Sequence, residues 1–224
     1  MAKLFLLRHL KSQWNEDNRF AGWVDNPLSK GAETDAEVIA KNLESENIEV
    51  VYTSPLMRNE ETVLRIFDNF INRYPQFFHL DGGRMQRWGN FTDISQNDVP
   101  VYVSENLNER YYGGLQGLNK EEIAEKYGKD KEHLWRRSFK ERPPGGESLA
   151  DVYKRAVPFF KKYVERDLAS GKNVLVVSSH NALRAIVKYI ENISDNDIAD
   201  VELPFGNLRQ YEFNKESKQF AFVK

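Results

Sequence analysis

Lys3-Leu4-Phe5-Leu6-Leu7-Arg8-His9-Leu10-Lys11-Ser12-Gln13-Trp14-Asn15 starts as a short apolar run and passes directly into an arginine and a histidine. An apolar run without polar alternation reads as a strand covered on both faces, the habit of parallel sheets flanked by helices. In such a sheet, ligands bind beyond the carboxyl ends of the strands. Arg8 and His9 therefore stand where a ligand is expected. A histidine there, beside a fixed positive charge, is a candidate nucleophile toward an anionic group such as phosphate.

Residues 3–8, 48–53, 173–178, 208–213 and 219–223 read as strands. Helical spacing appears between them. Residues 29–45 carry Ala32, Ala36, Ile39, Ala40 and Leu43 at that spacing, with Ser29 as the expected N-cap. Residues 56–71 repeat the pattern, 148–169 form the longest stripe, and 181–191 follow His180. Strands alternating with helices predict a three-layer α/β/α sandwich with a mostly parallel sheet. Pro143-Pro144-Gly145-Gly146 is a turn into the long helix. Residues 71–104 have no clean period, and their Gly82-Gly83, Trp88 and Phe91 suggest a packed excursion. The organisation expected is one domain over 1–224 with an insertion at about 71–104.

The chain has 224 residues, 40% of them hydrophobic, with 32 Lys+Arg against 34 Asp+Glu. A net charge of −2 provides no global field to attract nucleic acid or an anionic membrane. Any anion site must be a local cluster. The absence of cysteine excludes disulfides, thiolate ligands and a cysteine nucleophile. Leu4–Leu7 is too short for a signal-peptide core and no later run approaches a membrane span, so the expectation is a cytoplasmic protein. The four histidines (His9, His79, His133, His180) show no His-x-x-x-His spacing, and no phosphate loop or dinucleotide fingerprint is visible. No metal site is expected.

Several further residues can carry chemistry. His180 repeats the strand-end placement of His9 and opens a helix, whose N-terminus favours an anion. Arg58 lies just past the second strand. The segment Leu107-Asn108-Glu109-Arg110-Tyr111-Tyr112-Gly113-Gly114-Leu115-Gln116-Gly117-Leu118-Asn119-Lys120 is glycine-rich and loop-like. In a pocket of cations, its Glu109 is the candidate for moving protons at a substrate hydroxyl. Trp135-Arg136-Arg137 supplies adjacent guanidiniums suited to phosphate or carboxylate. Taken singly, each has an ordinary alternative: a capping histidine, an exposed helix arginine, a surface acid.

Together these segments resemble the cofactor-dependent phosphoglycerate mutases of the histidine phosphatase superfamily along almost the whole chain. Arg8-His9 through Trp14-Asn15 is similar to the signature around the phosphorylated histidine. Asn18-Arg19-Phe20-Ala21-Gly22-Trp23-Val24-Asp25, with Leu28-Ser29 and Gly31, resembles the next block, and Thr53-Ser54 with Leu56, Arg58 and Thr62 the third. Leu107–Lys120 matches the segment specific to the mutase subgroup. His180-Asn181-Ala182-Leu183-Arg184-Ala185 completes the series.

The resemblance implies that His9 carries a phosphoryl group, that Arg8, Arg58 and His180 hold its oxygens, and that Glu109 is the general acid and base. It implies substrate binding by Asn15, the Ala21-Gly22 backbone, Arg110, Tyr112, Lys120, Arg136, Arg137 and Asn181. The implied reaction interconverts 3-phosphoglycerate and 2-phosphoglycerate, primed by 2,3-bisphosphoglycerate, without metal. Small-molecule substrates are the expected partners, with no nucleic acid or membrane, and a homo-oligomer is left open. Four departures from the family pattern stand out. Leu10 and Ala21 replace a glycine and a threonine, one residue fewer follows His180, and the family's longer tail beyond Lys224 is not expected. They keep two rivals open: a phosphatase using the same histidine, and a silent relative that binds an anionic metabolite.

Overall fold

The computed structural model describes residues 1–224. Strand β1 (Ala2–Arg8) is followed by the short helix α1 (Gln13–Glu16), α2 (Ala32–Leu43), β2 (Val50–Thr53) and α3 (Met57–Phe67). Next come β3 (Tyr74–His79), α4 (Gly83–Trp88), β4 (Asp98–Val103), α5 (Lys120–Tyr127) and α6 (Lys129–Arg137). The last part holds α7 (Leu149–Phe159), α8 (Glu165–Ala169), β5 (Val174–Ser178), α9 (His180–Ile190), β6 (Leu208–Asn214) and β7 (Gln219–Phe222). The seven strands form one sheet in the order β3-β4-β2-β5-β1-β6-β7. The first five in that order run parallel; β6 and β7 add an antiparallel edge.

Each central strand divides its side chains between two cores, as the two-residue strand period requires. Leu4 and Leu6 of β1, Val174 and Val176 of β5, and Tyr52 of β2 pack with Phe160, Leu183 and Ile186 on one face. Phe5, Leu7, Leu175, Val177 and Val51 pack with Ala36, Ile39, Val63 and Ile66 on the other. This double coverage gives the expected three layers. Small polar side chains collect at the carboxyl ends of β1, β2 and β5. Thr53 Oγ1 donates to Val177 O (2.9 Å), Ser178 Oγ to Leu107 O (2.7 Å) and Asn59 Nδ2 to Ser54 Oγ (2.7 Å).

Three local expectations need correction. Ser29 does not cap α2: its hydroxyl donates to Lys11 O, and the helix starts at Ala32 after Gly31 in a left-handed conformation (φ 89°). The long stripe is a continuous helical run from Leu149 but not a uniform one. Pro158 lacks the N–H that an α-helix interior needs, and the run loosens into a π turn over Phe160–Val164 before α8. Finally, residues 71–104 contribute β3 and β4 to the sheet. Phe91 rests on Phe78 (ring centroids 5.3 Å apart), whereas Trp88 is 74% exposed, so its indole is not part of a packed excursion.

Candidate active site

A pocket of about 540 Å³, including its mouth, opens at the carboxyl ends of β1, β2 and β5. Arg8, His9, Asn15, Ala21, Gly22, Arg58, Glu109, Tyr112, Lys120, Arg136, Arg137, His180 and Asn181 line it. One expected binding residue, Arg110, does not reach the wall. Its side chain is fully buried beneath the pocket, donating to Arg136 O and to Asn181 Oδ1 (3.2 Å). Arg19 and Phe20 line the wall as well, from the Asn18–Asp25 block.

The chain end of β1 sets His9. Its backbone N–H donates to Ser178 O (3.0 Å), and its Nδ1 lies 2.6 Å from Leu10 O. A carbonyl oxygen only accepts, so Nδ1 carries the hydrogen and the lone pair sits on Nε2. Burial, then the neighbouring Arg58 and Arg8 guanidiniums, hold the ring's pKa well below the ordinary histidine value, so the imidazole is neutral. Leu10 itself points into the core with Phe5, Leu7 and Ile39, and its N–H donates to Thr62 Oγ1 (3.1 Å). A side chain at this position therefore does not obstruct the pocket.

Two loops bring the remaining groups together. Residues 18–20 pair with 117–120 through Phe20 N to Leu118 O (3.0 Å), Gly117 N to Phe20 O (2.8 Å) and Lys120 N to Asn18 O (2.9 Å). Gly22 is required beside them. It has φ +54°, and a Cβ there would lie 2.2 Å from Gln116 Oε1, the atom that accepts the Trp23 N–H. Arg58, almost wholly buried on α3, donates to Gly22 O (2.7 Å) and Val24 O (3.1 Å), while Asp25 Oδ1 accepts from Met57 N–H at the start of that helix (2.9 Å).

Glu109 is fixed from several sides. Its Oε1 accepts from Arg110 N–H (2.6 Å) and Asn181 Nδ2 (2.6 Å). Its backbone carbonyl accepts from Trp23 Nε1 (2.6 Å) and from Arg155 Nη2 (2.9 Å). Arg155, on α7, also binds Glu147 through two hydrogen bonds of 2.9 Å and donates to the carbonyls of Asn106 and Asn108 (2.9 Å each). Sequence pattern gave no sign of this role, because Arg155 is simply a polar position on an amphipathic helix. Gly113 (φ +55°) lets the same loop meet the Pro143–Gly146 turn: a Cβ there would lie 2.3 Å from Pro144 O.

Arg184 stands in the His180–Ala185 run, but its pattern there points to no role. From α9 it donates to Arg136 O (3.3 Å) and Arg137 O (2.9 Å), serving orphan carbonyls at the end of α6 and so aiming Arg136 and Arg137 into the pocket. Arg136 is further held by Glu132 (3.1 Å). Arg8 donates to Leu203 O (2.7 Å) and stacks on Phe205, its guanidinium 3.6 Å from the ring centroid. Burial, partly offset by Glu109 and Tyr112, lowers Arg8 to about 10. Burial with Arg136 and Arg8 brings Lys120 to about 8. His180 is held well below the usual range by burial and then by Arg8, Arg184, Arg137 and Arg110.

Cations outnumber acids in this pocket. Buried Arg8 Nε, Arg137 Nη1 and His180 Nε2 have no hydrogen-bond partner. Such atoms are costly unless a ligand supplies acceptors. The arrangement suits a small polyanion with a phosphoryl group near His9 and a hydroxyl near Glu109.

The chain is similar to known proteins along almost its whole length. The family model described as the histidine phosphatase superfamily (branch 1) matches residues 4–75 and 91–224. A Methanococcus vannielii protein named 2,3-bisphosphoglycerate-dependent phosphoglycerate mutase is 45% identical, covering 96% of this chain and 92% of its own length. One of the same name from Gloeothece citriformis is 39% identical, covering 97% of both. Among solved structures, a mycobacterial glucosyl-3-phosphoglycerate phosphatase superposes with a TM-score of 0.76 at 21% identity, covering 100% of this chain and 98% of its own. The α-ribazole phosphatase of Shigella flexneri gives 0.72 at 17%, covering 99% and 94%. At those identities the superpositions speak to the fold.

Proposed function

The chain belongs to the histidine phosphatase superfamily, and from that premise we propose that it interconverts 3-phosphoglycerate and 2-phosphoglycerate through a phosphohistidine at His9. Relatives named as phosphoglycerate mutases at 39–45% identity along nearly the whole chain favour this reaction over simple hydrolysis. The observation that carries the reading is a neutral His9 with Nδ1 committed to Leu10 O, facing a pocket of buried guanidiniums and one fixed acid.

His9 Nε2 attacks phosphorus in line with the leaving oxygen. The N–P bond forms as the P–O bond breaks, and Glu109 protonates the departing alkoxide. Arg8, Arg58 and His180 hold the equatorial oxygens, where positioning and electrostatics supply most of the rate. In the second half, Glu109 takes the proton of a phosphoglycerate hydroxyl, that oxygen attacks phosphorus, and His9 recovers its lone pair. Lys120, Arg136, Arg137 and Tyr112 bind the rest of the substrate, with Asn15, Asn181 and the Ala21-Gly22 backbone beside them.

A pocket with this excess of cations fits 2,3-bisphosphoglycerate, which supplies the first phosphoryl group. The test is an assay of 2-phosphoglycerate formation from 3-phosphoglycerate with and without that primer. Primer-dependent turnover is expected. Hydrolysis of phosphoglycerates without interconversion would instead establish the phosphatase.

A further inference from the structure

Residues 202–206, between α9 and β6, fold across the end of the pocket that holds Arg8, His9 and His180. Leu203 O accepts from Arg8, Gly206 N–H donates to Arg8 O (3.2 Å), and the Phe205 ring centroid lies 5.7 Å from that of His9. Leu203 is anchored in the core. The segment is thus held at Leu203, Phe205 and Gly206.

Glu202 is the side chain that matters. Its Oε1 forms an ion pair with Arg137 Nη2, and its Oε2 lies 3.3 Å from His180 Nε2, off the direction of a hydrogen bond. The two partners are nearly buried, with side chains 16% and 13% exposed, while Glu202 is 54% exposed. No other carboxylate lies within ion-pair distance of His180.

We propose that Glu202 is an internal competitor for the phosphoryl site: anchored by Arg137, its carboxylate takes the place beside His180 that phosphoryl oxygens need, and it must swing into solvent before they bind. The inference rests on the pocket receiving a phosphoryl group at His9. Glu109 cannot play this part, because hydrogen bonds from Arg110 and Asn181 pin its carboxylate. A half-exposed pair contributes little to stability. Glu202 can therefore leave at small cost, and a phosphoryl group with more oxygens and more charge replaces it. Glu202 thus sets the affinity of the site without touching the reacting atoms.

The experiment is calorimetric titration of the full-length protein with inorganic phosphate, comparing wild type, Glu202→Gln and Glu202→Asp. Glu202→Gln removes the competing charge and should tighten phosphate binding by about fivefold or more. Glu202→Asp keeps the charge but is too short to span both partners, so it should also bind phosphate more tightly than wild type. Equal or weaker binding by Glu202→Gln overturns the proposal. So does tightening in Glu202→Gln with none in Glu202→Asp, since that reports the general field of a nearby charge and not contact. If no variant binds phosphate at all, the phosphoryl pocket itself is wrong, a failure distinct from the first two.

Discussion

Asn181 Nδ2 donates to Glu109 Oε1 at 2.6 Å, while Asn181 Oδ1 accepts from Arg184 at 3.0 Å. One amide thus joins the acid of a glycine-rich loop to a buried cation of the helix that His180 opens. Both ends of the amide are committed, so its orientation is fixed, and Glu109 is presented to the pocket without conformational search. A preorganised acid of this kind is what proton transfer in a transition state requires.

Glu109→Gln should lower kcat by about 10²–10⁴, the usual share of general acid–base catalysis. The substitution keeps the carbonyl oxygen that accepts from Asn181 and Arg110, so KM should change little. Steady-state kinetics with 3-phosphoglycerate decides it, and near-normal turnover would remove Glu109 from the mechanism.

His9→Ala should abolish phosphorylation of the protein by 2,3-bisphosphoglycerate. In the wild type the label should be acid-labile and base-stable, as a phosphoramidate is. Labelling that persists in the variant points to another nucleophile.

Arg155 tests whether the loop carrying Glu109 is held from behind. Arg155→Ala leaves Glu147 without its bidentate partner and the Asn106 and Asn108 carbonyls without a donor, and should cost about 3 kcal/mol in urea unfolding. Arg155→Lys cannot reproduce the planar fork and should restore stability only in part. If Arg155 also positions the acid, kcat in the lysine variant falls while KM holds. Full activity there would confine Arg155 to stability.

Leu10→Ala should destabilise the fold by about 2–5 kcal/mol, as expected for a leucine removed from a tight core. Phosphate binding should be unchanged, since Leu10 is not on the pocket wall. A rise in mutase activity would mean that the side chain restrains the site after all.

The two pocket histidines also make a prediction about pH. Both have pKa values held well below 6.5 in the fold, His9 and His180 alike, first by burial and then by guanidiniums. Below about pH 6.5 the unfolded chain therefore binds protons that the folded chain refuses. Stability should fall with acidification there, by up to about 1.4 kcal/mol per pH unit for each histidine. Above 6.5 this contribution is fully present and flat. Melting temperatures between pH 5 and 7.5 measure it, and His180→Gln should reduce the slope; a Tm insensitive to pH in that window would falsify the assignment of neutral rings.

Much of the fold was legible because β1, β2 and β5 are buried on both faces and show it as unbroken apolar runs. β3 and β4 were not legible. β3 lies at the sheet edge and is only partly buried, Pro75 and Pro100 interrupt the pattern, and the alternation of Val99, Val101 and Val103 spans a single short strand. For the site, the residues that face the pocket stood out as charges at strand ends and in a glycine-rich loop. Those that hold them did not. Arg155, Glu202 and Phe205 lie far away in sequence from the groups they touch, as Arg184 does from the Arg136 and Arg137 carbonyls, and nothing local distinguishes a buried guanidinium from a solvated one. Arg110 shows the converse: the family resemblance implied that it binds substrate, whereas its side chain is fully buried and off the pocket wall.

The excess of buried guanidiniums around His9 and His180 has a consequence for the lifetime of the protein. Whatever anion binds there binds the folded chain and not the unfolded one, so occupancy at one hundred times Kd adds about 2.7 kcal/mol to stability. A cell whose phosphoglycerate supply runs down would empty these pockets, enlarge the unfolded fraction and expose more of it to proteolysis. The abundance of the protein would then track the metabolites it handles, with no regulator other than the charges of its own active site.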